Sequence, residues 1–405
     1  MNQARPSARD HLRAIGPGAV SGASDTDPTT VATVVVVGAT TTYGLAWLAL
    51  WLLPVLAVVQ ILATRVGLDS GRDLQQAVVE GYGRGPGLVL LGSVLGVNVL
   101  TIAADLQGGA AAVHLLTGWN PRWVPAPLAL ALLALLLLGS YHGVVRVLRY
   151  VMLCLLAYAA AAVLARPDRG AVVRGTLVPS LRLDPAHLSG VLALLGTTLT
   201  AYMYLWQAVE QLEEPGRRVG RQVDAVVGAL LAGALVWFIL VASGATLGVP
   251  HRRVDTAAQA AQALRPVAGR FAGDLFAVGL LTSAVIALPV IAATGGYAAA
   301  AQFGWVRGLS RPPRRAPRFY AVIAVQTLLG TTLALGGFSP IGLLYAASLV
   351  AGVATPLGLV LLVLVAANPV VMRGRPVGRG LRAAGWLVAL LVSVATAVYL
   401  ARELY

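Results

Sequence analysis

The sequence predicts an all-α membrane protein that crosses the bilayer many times, and its composition and hydropathy pattern both support this prediction. Of the 405 residues, 58% are hydrophobic and only 11% are charged, whereas soluble domains contain roughly 25% charged residues. Apolar stretches near the length that spans a bilayer, about 20 residues, recur along the whole chain. We therefore expect residues 1–405 to form a single transmembrane domain.

Eleven apolar stretches have the length and composition of membrane-spanning helices. Two further segments, 71–81 and 255–264, have the amphipathic pattern of short helices that lie at the membrane surface. The predicted spans cover residues 14–40, 45–66, 87–116, 125–141, 146–165, 188–212, 223–247, 271–303, 319–338, 340–366 and 383–401.

The basic residues predict how the chain is oriented in the membrane. All 30 are arginines, they give the chain a net charge of +14, and they lie in short clusters between the apolar stretches. An N-terminus in the cytoplasm places most of these arginines in cytoplasmic segments, as the positive-inside rule requires. We therefore expect a multi-pass protein of the cell membrane with a cytoplasmic N-terminus. The scattered clusters argue against a nucleic-acid partner.

The first predicted span is interrupted at its middle by a polar stretch, Ser24-Asp25-Thr26-Asp27-Pro28-Thr29-Thr30. A charged side chain at the bilayer centre costs on the order of 3 kcal/mol, and a proline inside a helix removes a backbone hydrogen bond. Open backbone at that depth is tolerated only where it faces protein or a water-filled cavity. We interpret this stretch as a cation site. The alternative is a kinked helix with a buried, protonated aspartate.

A second interrupted span follows five spans later, where small and hydroxyl residues occupy Gly196–Tyr204. Interrupted helices at corresponding places in two halves are typical of transporters built from inverted repeats. We therefore predict one repeat over residues 14–165, a second over 188–366 and an additional helix over 383–401. The alternative is that the threonines of the second stretch only bond their own helix.

Several colinear segments resemble the natural resistance-associated macrophage protein (Nramp) family, most closely a divergent bacterial branch of it. They include Gly16-Pro17-Gly18 through Asp27-Pro28, Tyr43-Gly44-Leu45, Gln60, residues 65–74 and Asp105-Leu106-Gln107. The resemblance implies the LeuT-type fold of five plus five inverted helices, with eleven transmembrane helices of which the first and sixth are broken. It also implies proton-coupled import of divalent metals such as manganese or iron.

The resemblance also implies a set of metal ligands. The family's first-span motif is Asp-Pro-Gly-Asn, and this chain keeps Asp27 and Pro28 but has Thr29 and Thr30 in the last two places. The family's sixth span carries Met, Pro and His, and here those places are Thr200, Ala201 and Tyr202. The implied ligands are the side chains of Asp27, Thr30, Thr200 and Ser348 and the backbone carbonyls of Ser24 and Thr197.

Five further polar residues are candidates for the surroundings of the metal or for a proton path: Asp25, Asp105, Tyr202, Gln207 and Glu210. Asp25 is either a second ligand or the cap of the following half-helix, because aspartate is a good N-cap. Asp105 either belongs to a proton path or forms a local hydrogen bond. Gly108 stands where the family has a second acid, and the ninth span lacks the family's arginine, so the resemblance leaves proton coupling open.

These residues lead to three functional hypotheses. The first is a secondary transporter that imports divalent cations of the Mn²⁺ or Mg²⁺ kind with broad selectivity, without a cofactor. The second is the same fold carrying a monovalent ion or a small organic cation. The third is an intramembrane aspartyl hydrolase, which would need Asp27 beside Asp105, whereas a transporter predicts Asp27 near Thr200. The chain lacks HExxH, CxxC and phosphate-binding glycine motifs, so we do not expect another kind of enzyme.

Overall fold

The computed structural model describes residues 27–138, 157–180, 182–213, 218–249 and 254–404, and every regular element in these ranges is helical. The helices are α1 (Pro28–Thr41), α2 (Ala46–Arg65), α3 (Leu74–Tyr82), α4 (Arg84–Thr117), α5 (Pro125–Leu138), α6 (157–164), α7 (Arg169–Leu177), α8 (Pro185–Thr198), α9 (Ala201–Glu213), α10 (Arg218–Ser243), α11 (Ala257–Ala260), α12 (Arg265–Ala268), α13 (Ala272–Phe303), α14 (Pro317–Ala334), α15 (Pro340–Ala367) and α16 (Arg379–Leu404).

Seven helical segments of the described ranges are long and apolar enough to cross a membrane, and two shorter apolar segments, Pro28–Thr41 and Pro121–Leu137, accompany them. The longest single helices, α4 and α13, have 34 and 32 residues and make the most extensive helix–helix contact among the described elements. The multi-pass helical architecture is therefore confirmed. The number eleven stays a prediction, because much of the expected spans 14–40 and 146–165 lies outside the described residues.

The order of elements is similar in the two halves of the chain. In the first half, α2 continues into the π-helical segment Val66–Ser70, and the short helix α3 precedes the long helix α4. In the second half, α10 continues into the π-helical segment Gly244–Gly248, and short helical turns precede the long helix α13. This order agrees with the expected inverted repeats, whose boundaries stay a prediction.

Both predicted interruptions coincide with helix ends. Helix α8 ends at Thr198 and α9 begins at Ala201, so the backbone is unwound at Leu199 and Thr200. Helix α1 begins at Pro28, where the first interruption was expected. Pro28 does not kink a continuous helix there. It occupies the first helical position, where a backbone N–H would have no acceptor within the helix, so its absence costs no hydrogen bond.

Helix α7 lies between the fifth and sixth predicted spans, where no helix was predicted. Its N-cap is Asp168, whose carboxylate accepts the N–H groups of Gly170 and Ala171. Gly175 packs against the backbone of Tyr43, and the indole N–H of Trp237 donates to the Thr176 hydroxyl at 3.0 Å. These contacts hold α7 against the transmembrane helices, and a hydropathy pattern does not reveal them.

The predicted sidedness can be tested by cysteine labelling in a Cys154→Ser background, which removes the one cysteine of the sequence. Arg314→Cys lies in the arginine-rich loop before α14, and Arg169→Cys lies at the start of α7, and both positions are exposed. The positive-inside rule places the first in the cytoplasm and the second outside. We expect a membrane-impermeant maleimide added to intact cells to label only Arg169→Cys. Labelling of both positions from one side would contradict the inverted-repeat topology.

Candidate functional site

Asp27 caps the N-terminus of α1 inside the protein. Its backbone is extended, and its Oδ1 accepts the N–H of Thr30 at 2.6 Å. The side chain is buried, with 2% of its residue surface exposed. Aspartate is favoured at this position because it satisfies a free N–H group and lies at the positive end of the helix dipole. The Asp27-Pro28 pair therefore starts a helix at a depth where a carboxylate would otherwise be costly.

The other carboxylate oxygen of Asp27 is bound by the second interrupted span. The phenol of Tyr202, in the first turn of α9, donates to Asp27 Oδ2 at 2.9 Å. Tyr202 is also buried. This hydrogen bond joins residues 175 positions apart in the chain, so the two predicted interruptions meet in space.

The threonines that follow Pro28 connect α1 to three other helices. Thr29 donates its hydroxyl to Asp105 Oδ1 on α4 at 2.8 Å. The hydroxyl groups of Thr30 and Thr197, on α8, are hydrogen-bonded at 2.9 Å. Those of Thr33 and Ser348, on α15, are 2.6 Å apart. We call these residues, with Asp27 and Tyr202, the polar cluster: Asp27, Thr29, Thr30, Thr33, Asp105, Thr197, Tyr202 and Ser348.

The polar cluster contains six of the predicted site residues: Asp27, Thr30, Asp105, Thr197, Tyr202 and Ser348. It also contains Thr29, which belongs to the predicted polar stretch but was not a predicted ligand, and Thr33, which was not predicted. These two are four residues apart, so they lie on one face of α1, and that spacing after an Asp-Pro pair was the available signal. Ser24 and Asp25 lie outside the described residues. The residue that caps α1 is Asp27.

Thr200 lies in the unwound segment between α8 and α9. It is buried, with 4% of its surface exposed, and its hydroxyl has no hydrogen-bond partner among the residues that the structure describes. The neighbouring Leu199 carbonyl accepts the Thr355 hydroxyl at 3.3 Å. A buried hydroxyl without a partner costs about 1–3 kcal/mol, so the interruption offers an oxygen that a bound ligand would satisfy.

Gln207 and Met203 lie in different surroundings from the polar cluster. Both line a small pocket that faces α2, together with Leu56, Val59, Gln60, Thr198, Leu199 and Tyr204. The amide of Gln207 donates to the Thr64 hydroxyl at 3.2 Å. Glu210 is one turn further along α9 and is partly exposed. None of the residues of the polar cluster lines this pocket.

The two buried acids are each bound by a hydroxyl group. Asp27 accepts from Tyr202 and Asp105 accepts from Thr29, and the structure contains no hydrogen bond between the two carboxyl groups among its described residues. Among the residues that the structure describes, no group of three or more His, Cys, Asp or Glu side chains is arranged to hold a metal ion. A cation at the polar cluster would therefore be bound by one or two carboxylates with hydroxyl and carbonyl oxygens.

Gly108, at the position where the family resemblance implies a second acid on α4, lies close to the start of α1. A Cβ atom at Gly108 would lie 3.3 Å from Pro28 Cβ and 3.5 Å from a Leu344 methyl group. Helix α4 thus packs directly against the start of α1 at this point. A side chain at this position would require α4 and the start of α1 to move apart by a few tenths of an ångström.

The fold and this geometry define a multi-pass membrane protein in which two interrupted helices bring their polar groups together inside the protein, the arrangement of a secondary transporter. The family model described as natural resistance-associated macrophage protein-like matches residues 18–402. The chain therefore belongs to the Nramp family, as the sequence resemblance suggested, and it is a transporter and not an enzyme.

Curated relatives match nearly the whole chain. The divalent metal cation transporter MntH of Deinococcus radiodurans is 28% identical over 411 residues, covering 96% of this chain and 89% of the relative. The protein of the same name from Mycobacterium tuberculosis is 27% identical over 412 residues, covering 96% and 91%.

Solved structures confirm the LeuT-type fold. The Eremococcus coleocola manganese transporter, in complex with an aromatic bis-isothiourea substituted compound, matches with a TM-score of 0.72 at 19% identity, covering 99% of this chain and 88% of that one. Mhp1, a nucleobase-cation-symport-1 family transporter, matches with a TM-score of 0.64 at 13% identity, covering 96% and 93%.

The tight packing at Gly108 can be tested with a matched pair of substitutions. Gly108→Leu inserts a side chain between α4 and Pro28, and overpacking of this kind costs about 1–3 kcal/mol. Gly92→Leu is the control, because Gly92 lies on the same helix with open space around it. We expect a lower melting temperature in detergent for Gly108→Leu only. Equal melting temperatures for the two variants would contradict the close contact of α4 with α1.

Proposed function

We propose that this protein is a secondary active transporter that carries divalent cations across the cell membrane, with its N-terminus in the cytoplasm. The observation that carries this proposal is the hydrogen bond from Tyr202 to Asp27, which places a buried carboxylate where the two interrupted helices meet. The relatives named divalent metal cation transporter, which match along nearly the whole chain, support it.

The proposed cation lies between the polar cluster and the unwound segment. A cation that loses most of its hydration shell needs an anionic ligand to compensate. A carboxylate can do this because the Coulomb attraction between opposite charges is strong at low effective dielectric. Asp27 supplies that charge. The C-terminal turn of α8 adds carbonyl groups that have no partner within the helix, and their dipoles favour a cation. We therefore propose Asp27, Thr30 and Thr200 as ligands, with the carbonyls of Ser24 and Thr197 and the hydroxyl of Ser348.

This donor set predicts broad selectivity among hard divalent cations. All the proposed ligands are oxygens, and oxygen ligands suit magnesium, calcium and manganese, whereas thioethers favour softer metals. Magnesium usually retains several waters and is bound through one or two carboxylates. We propose that Mg²⁺ and Mn²⁺ are both carried at low affinity and that Cd²⁺ is not favoured.

A second candidate substrate follows from the small number of acids in the cluster. Asp105 accepts its hydrogen bond from Thr29, and Asp27 is the acid that a hydrogen bond joins to the second interrupted span among the described residues. A single carboxylate balances a single positive charge, which favours a monovalent ion or a small organic cation on the same fold.

A panel of radioactive divalent and monovalent cations, tested for uptake into proteoliposomes, distinguishes the two proposals. A pH-sensitive dye inside the vesicles reports whether protons move with the cation.

Removal of the Asp27 carboxylate tests the proposed site directly. We expect Asp27→Ala to abolish saturable Mn²⁺ uptake into proteoliposomes, because Asp27 is the acid that is hydrogen-bonded to the second interrupted span and supplies the charge that compensates the ion. The matched control is Asp274→Ala, since Asp274 is exposed on α13, and it should transport as the wild type does. Melting temperatures in detergent verify that both variants fold. Normal saturable uptake by Asp27→Ala would contradict the cation site.

A thioether at position 200 tests the selectivity that the oxygen ligands predict. We expect Thr200→Met to make Cd²⁺ a stronger competitor of Mn²⁺ uptake by about tenfold, equivalent to ~1.4 kcal/mol, because sulfur is a softer ligand. Thr332→Met is the control, since Thr332 is exposed on α14. If Cd²⁺ already inhibits the wild type strongly, and Met203→Ala removes this inhibition, Met203 supplies a sulfur ligand and the all-oxygen site is wrong.

A further inference from the structure

Both oxygens of the Asp27 carboxylate are occupied by protein donors. Oδ1 accepts the Thr30 N–H at 2.6 Å and Oδ2 accepts the Tyr202 hydroxyl at 2.9 Å. The two donors come from different helices, α1 and α9, so the carboxylate is fixed between them. Its orientation is therefore determined before any cation arrives.

A carboxylate that is fixed in this way binds a cation differently from a free one. Carboxylates coordinate calcium through one or both oxygens, and the ion takes six to eight oxygen ligands in flexible geometry. With one donor on each oxygen, Asp27 has about half of its acceptor positions left. Binding of one ion through both oxygens needs an open lone pair on each oxygen that points toward that ion, and the two donors limit which of these positions are open.

The Tyr202 contact also sets the distance between the interrupted helices. It joins the start of α1 to the start of α9, while the hydroxyl pair of Thr30 and Thr197 joins α1 to the end of α8. These two contacts hold α1 to both halves of the second interrupted span. Thr200 lies in the unwound segment between these two halves.

We propose that Tyr202 is a positioning residue that determines specificity, because its phenol restricts Asp27 to binding a cation through one oxygen. This mode favours small cations that keep part of their water, of the Mg²⁺ kind, over larger cations that need more protein ligands, of the Ca²⁺ kind. The inference rests on the proposed function, since it takes Asp27 as a ligand of the transported ion.

The test separates the phenol's hydrogen bond from the volume of its ring. Tyr202→Phe keeps the ring and removes the donor, which frees Asp27 Oδ2 to take part in binding. Tyr345→Phe is the matched control, because the Tyr345 hydroxyl bonds Ser189 between α15 and α8, away from the polar cluster. The measurement is the inhibition of Mn²⁺ uptake by Mg²⁺ and by Ca²⁺ in proteoliposomes, expressed as the ratio of the two inhibition constants.

We expect this ratio to shift toward Ca²⁺ by about tenfold in Tyr202→Phe, the size associated with one hydrogen bond to a charged group. The ratio should be unchanged in Tyr345→Phe. Tyr202→His, whose ring N–H can donate to the carboxylate, should retain more of the wild-type ratio than Tyr202→Phe. A general loss of structure would lower uptake without shifting the ratio in this donor-dependent way.

Two results would overturn the inference, and they are distinguishable. A wild-type ratio in Tyr202→Phe, with no uptake by Asp27→Ala, rejects the role of Tyr202 and leaves the cation site in place. Normal uptake by Asp27→Ala rejects the cation site and the role of Tyr202 with it. If Tyr202→Phe does not fold, Tyr202→Gln, which keeps a donor, and Tyr202→Leu, which does not, provide the same comparison.

Discussion

The structure depends on how one buried carboxylate is satisfied inside the membrane. Asp27 lies where a charge is costly, and three features offset that cost: the N–H of Thr30, the phenol of Tyr202 and the positive end of the α1 dipole. Hydrogen bonds to charged groups contribute about 1.5–3 kcal/mol each. The helix can begin at Pro28 because these partners are in place, and the partners come from elements far apart in the chain.

The same requirement explains why α1 is the centre of the site. Its first two turns bind α4 through Asp105, α8 through Thr197 and α15 through Ser348. Each contact joins two hydroxyls or a hydroxyl and a carboxylate, so polar groups that lipid could not solvate are satisfied by one another. The Thr200 hydroxyl, at the interruption, and Asp105 Oδ2 are different, since both are buried without a hydrogen-bond partner among the described residues. In the proposed function, the ion binds where buried oxygen atoms lack hydrogen-bond partners in the part of the chain that the structure describes.

The sequence was informative about class, interruptions and the position of the first acid, because these depend on composition and local pattern. An Asp-Pro pair between two apolar runs signals a helix start in any fold. The partners of that acid could not be derived in the same way. The contact of Tyr202 with Asp27 spans 175 residues, and only the family resemblance brought position 202 near the site. The sequence does not show that Gln207 lines the pocket facing α2 and that Thr200 does not, because this depends on the direction in which α9 packs. Nor does it show that α4 packs against Pro28, because this contact depends on the positions of the two backbones. Helix α7 depends on a cap and on contacts that hydropathy does not record.

The most direct test of the proposed cation site is a crystal structure of the protein with Mn²⁺, with the ion located by its anomalous scattering. The proposed site predicts an anomalous peak beside one oxygen of Asp27, between the start of α1 and the unwound segment at Thr200, which is absent from crystals of Asp27→Ala. A bound Mn²⁺ in the pocket of Met203 and Gln207, with none at Asp27, would contradict it.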